Sequence, residues 1–287
     1  MKILFVGGGN MAQAILGGMA AQKIPSENLC VVEPLAETRV ALAKLGVVAV
    51  PSLVPHLIKC DAIVLAVKPQ FMREAISPLA GILTSQAVIS IAAGINTASI
   101  AAWLGGLVEG SAYGNVIRAM PNMPALIGAG ITGLYAAAGT TAEGRSIAET
   151  LLGAVGKTVW FNDEAMLDVV TAISGSGPAY VFYFMEALEQ AAFELGFDRD
   201  AARMFATQTF VGGVQLAAAT SESAGVLRAR VTSKRGTTEA AIELFDSLSL
   251  KQGFIDGVKA ACARSRKLGR ELGTTSVVPL TQARSKD

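Results

Sequence analysis

An α/β half followed by an all-helical half is the fold class this sequence predicts, on three observations. Short apolar runs alternate with helical stretches as far as Phe161, a glycine-rich turn joins the first run to the first helix, and strand signals stop after Asn162. The 287 residues suffice for two ordinary domains. The expected division is 1–161, 162–272 and a mobile tail over 273–287.

Lys2 to Val6 reads as a buried strand, and Gly7-Gly8-Gly9-Asn10-Met11-Ala12 turns it directly into a helix. Gly7 permits the tight turn, Gly9 lets bare backbone approach a pyrophosphate, and the small Ala12 lets helix and strand pack closely. The helix start adds unpaired N–H groups and a positive dipole end, which favour an anion. In this context the pattern is the fingerprint of a Rossmann-like dinucleotide-binding domain. Leu29 to Val32 is a second strand and Leu35 to Leu45 a second helix, which completes a βαβ unit. Glu33 stands roughly 20 to 25 residues past the glycines, where a carboxylate can accept the ribose hydroxyls of NAD and repel a 2′-phosphate. The plainer reading is an ordinary Glu opening a loop before Pro34.

Val47 to Val50, Ala62 to Ala66, Ala87 to Ile91, Asn115 to Met120 and Lys157 to Phe161 read as further strands. Such runs, alternating with helices, mean a parallel sheet covered on both faces. The loops Ala66-Val67-Lys68-Pro69 and Ala92-Ala93-Gly94 follow carboxyl ends of strands, where open α/β sheets bind ligands. Lys68 reads equally as a contact to cofactor phosphate or ribose and as a solvated lysine. Pro121-Asn122-Met123-Pro124 makes a rigid loop, and Thr141 offers an N-cap for a helix to about Val155.

Composition narrows the function. Hydrophobic residues are 52% and charged residues 16%, against about a quarter charged in ordinary domains, so extensive subunit contact is expected. A net charge of +1 without a basic run excludes nucleic acid and anionic membrane as general partners. Cys30, Cys60 and Cys262 are odd in number and lack C-x-x-C spacing, which suggests neither disulfides nor zinc and suits a reducing cytoplasm. The N-terminus lacks a signal-peptide pattern, and the run Ala179 to Met185 is too short to span a bilayer. His56, the single histidine, reads as structural, and without another a three-histidine metal site is impossible.

In the second half, a helix from about Glu164 to Ile173 leads to Ser174-Gly175-Ser176-Gly177-Pro178, read as a flexible hinge with Pro178 in the next first turn. The helix Ala179 to Leu195 is apolar nearly all round and must be buried, with a partner subunit as its expected cover. Asp198 caps the following helix. Val231 to Thr238 is a polar loop feeding the helix Glu239 to Phe245, and Ala260 to Leu272 closes the helical part. The N–H groups and Thr hydroxyls of that loop form either a seat for a small carboxylate or an ordinary N-cap.

The joint occurrence of Gly7 to Ala12, Ala66 to Gln70, Ser90 to Gly94, Arg118 to Asn122, Ser174 to Tyr180 and Val231 to Phe245 resembles the pyrroline-5-carboxylate reductase family, over about residues 1 to 270. The resemblance implies reduction of 1-pyrroline-5-carboxylate to L-proline by NADPH or NADH, the last step of proline biosynthesis, by a cytoplasmic homodimer that can assemble further. It places Gly7, Gly8, Gly9, Asn10, Met11, Ala12, Val67, Lys68, Pro69, Ala92, Ala93 and Gly94 at the cofactor, with Ala66 and Glu33 beside them. It gives Ser233, Gly236, Thr237 and Thr238 the substrate carboxylate and ring nitrogen, Thr238 the catalytic contact, and Glu164 a place close to the ring. The family usually carries Pro-Gly where Lys234-Arg235 stand and Thr where Met123 stands. Two other readings compete: a β-hydroxyacid dehydrogenase, which lacks its lysine because none occurs between Lys157 and Lys234, and a nucleotide-sensing oligomer without catalysis. With the two halves of the site on different domains, completion across a dimer interface is expected.

Overall fold

A computed structural model describes residues 1–273 apart from 107 and 109, so the expected tail from 274 lies outside the described residues. By contacts the chain forms two units, Met1–Gly175 with Ala261 onward, and Ser176–Ala260. In the first unit the strands are β1 (Ile3–Val6), β2 (Leu29–Val32), β3 (Val48–Val50), β4 (Ala62–Leu65), β5 (Ala87–Ser90), β6 (Val116–Met120), β7 (Gly130–Ala136) and β8 (Gly156–Trp160). They form one sheet in the order β3-β2-β1-β4-β5-β6-β7-β8, with β6 and β7 antiparallel and the other pairs parallel. The order reverses beside β1. Val6 is in register with both Val32 and Leu65, so the loops after these strands emerge together at the carboxyl edge, at the switch point where such sheets bind ligands.

The helices α1 (Asn10–Ala21), α2 (Ala36–Lys44), α3 (Met72–Ile76), α4 (Thr97–Leu104) and α5 (Ala142–Gly153) cover the sheet. Side chains alternate across the pleat. Ile3 and Phe5 pack with Ile15 and Met19 of α1 and Leu151 of α5, whereas Leu4 and Val6 pack with Met72, Ile76 and Ile100. Every residue of β1 is buried, which is why it reads as an unbroken apolar run. Thr141 caps α5 as expected, its side chain accepting from the Gly144 N–H.

β7 was not among the expected strands. Its sequence Gly-Ile-Thr-Gly-Leu-Tyr-Ala is broken by glycines for steric reasons: a Cβ at Gly130 would stand 2.8 Å from the Val155 carbonyl oxygen, and one at Gly133 would stand 2.9 Å from the Val170 methyls. The expected hinge at Ser174 is also corrected. Helix α6 (Met166–Val170) continues as a π-helical turn over Thr171–Gly175, with the Ser174 hydroxyl donating to the Val170 carbonyl, so the segment is helical rather than a loop.

Arg118 of β6, 5% exposed, anchors a buried charge cluster in this unit. Its Nη1 lies 3.3 Å from Glu164 Oε1 and its Nη2 3.6 Å from Asp168 Oδ1. Glu164 accepts the Thr97 N–H and the Thr97 hydroxyl, each at 2.8 Å, which ties down the start of α4. The Ser265 hydroxyl donates to Asp168 at 2.8 Å.

The second unit contains α7 (Gly177–Glu194), α8 (Arg199–Ala218), α9 (Ala224–Arg230), α10 (Thr237–Ser247) and the first part of α11 (Leu250–Gly273). Pro178 lies in the first turn of α7 and Asp198 caps α8, as expected; α9 was not foreseen. Tyr180 and Phe184 pack on Phe254. Yet among the described residues of this unit the buried hydrophobic side chains are Ala202 and Ala206, while Phe182 is 61% and Tyr183 68% exposed.

Removing one member of a buried ion cluster leaves its partners uncompensated, so Arg118→Met should lower unfolding free energy by ~3 kcal/mol and Arg118→Lys by less; equal denaturation midpoints for wild type and Arg118→Met would contradict this. Burial, with the Asp61 charge adding, pushes the Cys60 thiol from 9.0 up to about 11. Burial, with Cys60 adding, likewise pushes the Tyr113 phenol from 10.0 up to about 12. Both folded values lie above the unfolded ones, so the unfolded chain ionises first and stability present below pH 9 is lost between about 9 and 12. Cys60→Ala with Tyr113→Phe should flatten the fall of the denaturation midpoint over that range, and an unchanged slope would refute it.

Candidate active site

The turn after β1 is built so that only glycine fits. Gly7 has φ +99° and donates to the Val32 carbonyl at 2.9 Å, and a Cβ there would stand 2.7 Å from the Ala66 carbonyl oxygen. Gly8 donates to Glu33 Oε2 at 2.9 Å, and Leu35 donates to Glu33 Oε1 at 2.9 Å. Glu33 is thereby 7% exposed and braces the loop. Each of the two oxygens keeps further acceptor capacity beside its one backbone bond. A Cβ on Gly9 would meet nothing within 4 Å, so the backbone faces open space where Asn10, Met11 and Ala12 begin α1. Gly9 supplies no side-chain cap, and the N–H groups of this first turn have no acceptor among the described residues. That is the cradle an anionic pyrophosphate needs.

The loops Ala66–Pro69 and Ala92–Gly94 leave β4 and β5 at the same edge, with Lys68 exposed and Gly94 at φ +78°. The structure therefore places the loops that carry the expected cofactor residues at one edge of the sheet, with Ala12 buried in the core beneath them. Beyond Gly94 and Asn96 lies a cavity of about 450 Å³ lined also by Arg118, Asp168, Arg266 and Arg270. Arg118, Asp168, Arg266 and Arg270 were not among the residues the sequence marked for the site. A lone arginine inside the apolar strand Val116–Met120 was the available signal, because such a charge must find buried partners.

The residues expected at the substrate lie elsewhere in the chain. Glu164 belongs to the first unit, where Thr97 and Arg118 occupy its carboxylate. Ser233, Gly236, Thr237 and Thr238 belong to the second and are gathered at the start of α10. Gly236 donates to the Ser233 carbonyl at 3.0 Å, closing a tight turn. A Cβ on Gly236 would lie 2.4 Å from Ser233 Oγ, so the hydroxyl lies against the helix start. Gly236 gives α10 no side-chain cap, and the N–H groups of Thr237 and Thr238 have no acceptor among the described residues. The three hydroxyls of Ser233, Thr237 and Thr238 and bare N–H groups on a positive helix end can hold a small carboxylate.

Comparison with known proteins identifies the family of the chain. The model of pyrroline-5-carboxylate reductase dimerisation matches residues 164–268, and that of NADP oxidoreductase, coenzyme F420-dependent, matches residues 2–94. Pyrroline-5-carboxylate reductase of Haemophilus influenzae is 40% identical over 93% of this chain and 97% of its own length. That of Pseudomonas aeruginosa is 41% identical over 95% and 98%. A solved pyrroline-5-carboxylate reductase from Coxiella burnetii superposes with a TM-score of 0.84 at 37% identity, covering 93% of this chain and 98% of that one. The Plasmodium falciparum enzyme, solved with NADP bound, superposes with a TM-score of 0.81 at 28% identity, covering 94% and 98%. Both the sheet with its glycine turn and the helical part with its bare α10 start lie within these matches, and the chain belongs to the pyrroline-5-carboxylate reductase family.

Proposed function

We propose that this chain reduces 1-pyrroline-5-carboxylate to L-proline with NADPH or NADH, the last step of proline biosynthesis. The observation that carries the reading is identity of 40% to a reductase of that name across almost the whole of both chains. The glycine turn fits the cofactor, because Gly9 opens onto free space beside unpaired N–H groups. When bound, the reduced nucleotide supplies a hydride to the carbon of the C=N bond.

The work of the chain is then orientation. The imine nitrogen is basic enough to bring its own proton, so no strong protein acid is needed. The N–H groups of Thr237 and Thr238 hold the carboxylate, the Ser233 hydroxyl supports it, and the Thr238 hydroxyl faces the ring nitrogen. Glu164 acts through Thr97 and Arg118 on the loop that follows β5. A cofactor half to residue 161 and a dimerisation half over 162–272 are supported by the dimerisation model, which matches 164–268.

The same half assembles into a homodimer, open to further association. Its support is the apolar surface left uncovered on α7 and α8, including Phe182, Tyr183 and Phe205, in a unit with almost no core of its own. No described helix is long and apolar enough to cross a membrane. The free thiols Cys30, Cys60 and Cys262 suit a reducing cytoplasm.

The test is consumption of NADPH and NADH with pyrroline-5-carboxylate, in wild type and Thr238→Ala. A hydrogen bond to a charged group is worth roughly ten-fold or more in rate, so the variant should lose that much kcat/KM and keep its affinity for the nucleotide. Failure of the wild type to oxidise either nucleotide would sink the reading, and full turnover by Thr238→Ala would remove that residue from the site.

A further inference from the structure

The turn before α10 carries two cations, Lys234 and Arg235. Arg235 occupies the third position of the turn Ser233–Gly236 at φ +58°, a left-handed conformation that favours glycine or asparagine there. Glu239, in the first turn of α10, accepts the Arg235 N–H with its carboxylate and so holds this backbone in place. That carboxylate is the nearest acidic group along the chain. The side chains of Lys234 and Arg235 are exposed and have no ion-pair partner among the described residues. At the end of α9, Arg230 pairs with Glu222. From residue 222 to 239 the chain has four cations, Arg228, Arg230, Lys234 and Arg235, against two carboxylates, Glu222 and Glu239. This short stretch is thus more positive than the whole chain, whose net charge is +1. Arg235 shares this positive φ with Lys23 and Ser249, and of the three it alone stands beside the open N–H groups of α10.

We propose that Lys234 and Arg235 are specificity-determining residues. They draw the anionic imino acid to the start of α10 and favour carboxylate-bearing cyclic imines over those without the carboxylate. Neither touches the reacting bond; they act through charge at the rim. The inference rests on the carboxylate seat at Ser233–Thr238 proposed above.

The experiment compares KM for pyrroline-5-carboxylate and for 1-pyrroline, which lacks the carboxylate, in wild type, Lys234→Gln and Arg235→Gly, at low and high sodium chloride. Glycine is chosen at 235 because it accepts the positive φ, so the turn is kept while the charge goes. Each variant should raise KM for pyrroline-5-carboxylate roughly three-fold at low salt. At about 1 M salt, where screening acts within about 3 Å, the gap should close. KM for 1-pyrroline should not rise. Should either variant fail to fold by circular dichroism, the other decides the matter alone. Unchanged KM at low salt, a gap that persists at high salt, or an equal rise for 1-pyrroline would overturn the proposal. Thr238→Ala separates the two levels: loss of turnover there with no effect of the rim variants defeats this inference alone, whereas full turnover defeats the seat itself.

Discussion

Backbone N–H groups at a helix start need an acceptor, and among the described helices α1 and α10, like α2, α3, α6 and α7, begin without a side-chain cap. Gly9 precedes α1 and Gly236 precedes α10, and neither supplies a side-chain cap, whereas Asn96, Thr141, Asp198 and Ser223 cap α4, α5, α8 and α9. A polar helix end left open costs stability unless water or a ligand meets it. At α1 the opening lies at the switch point of the sheet, and the glycines are obligatory because a Cβ on Gly7 or Gly8 would strike Ala66 or Leu42. At α10 the opening is flanked by Ser233, Thr237 and Thr238. One opening suits a pyrophosphate and the other a single carboxylate, which matches a nucleotide-dependent reduction of a small imino acid.

The second constraint is burial. In the first unit, sheet and helices enclose two cores on either side of β1. Residues 176–260 enclose almost nothing, although Phe182, Tyr183, Phe205 and Leu244 are large and apolar. Covering one such side chain contributes about 1.5–3 kcal/mol, so the homodimer proposed above would supply the stability that this stretch lacks alone. Assembly and the integrity of the α10 seat are therefore coupled in this account, since both depend on the same short helical unit.

How far the fold could be read from sequence depended on the range of the interactions. The parallel strands β1, β2, β4 and β5 are buried on both faces, and an unbroken apolar run states that directly. β7 escaped because its packing against Val155 and Val170 demands glycines, which read as turns. The π-helical turn Thr171–Gly175 escaped for a similar reason: Ser and Gly suggest a hinge unless the Val170 carbonyl that receives the Ser174 hydroxyl is known. The helix α9 is too short, after Thr220-Ser221-Glu222-Ser223, to show a period. At the site, the glycine turn was legible since strand, turn and helix are contiguous. The cluster of Arg118, Glu164, Asp168 and Ser265 was not, because its members are brought together from three distant segments. Glu33 was placed at the right loop, but its two bonds to Gly8 and Leu35 are visible only in three dimensions.

The most direct measurement is a crystal structure of the chain grown with L-proline and oxidised NADP. The account predicts the proline carboxylate at the start of α10, with its oxygens within about 3 Å of the Thr237 and Thr238 N–H groups. Proline held elsewhere, with those N–H groups facing water, would contradict it.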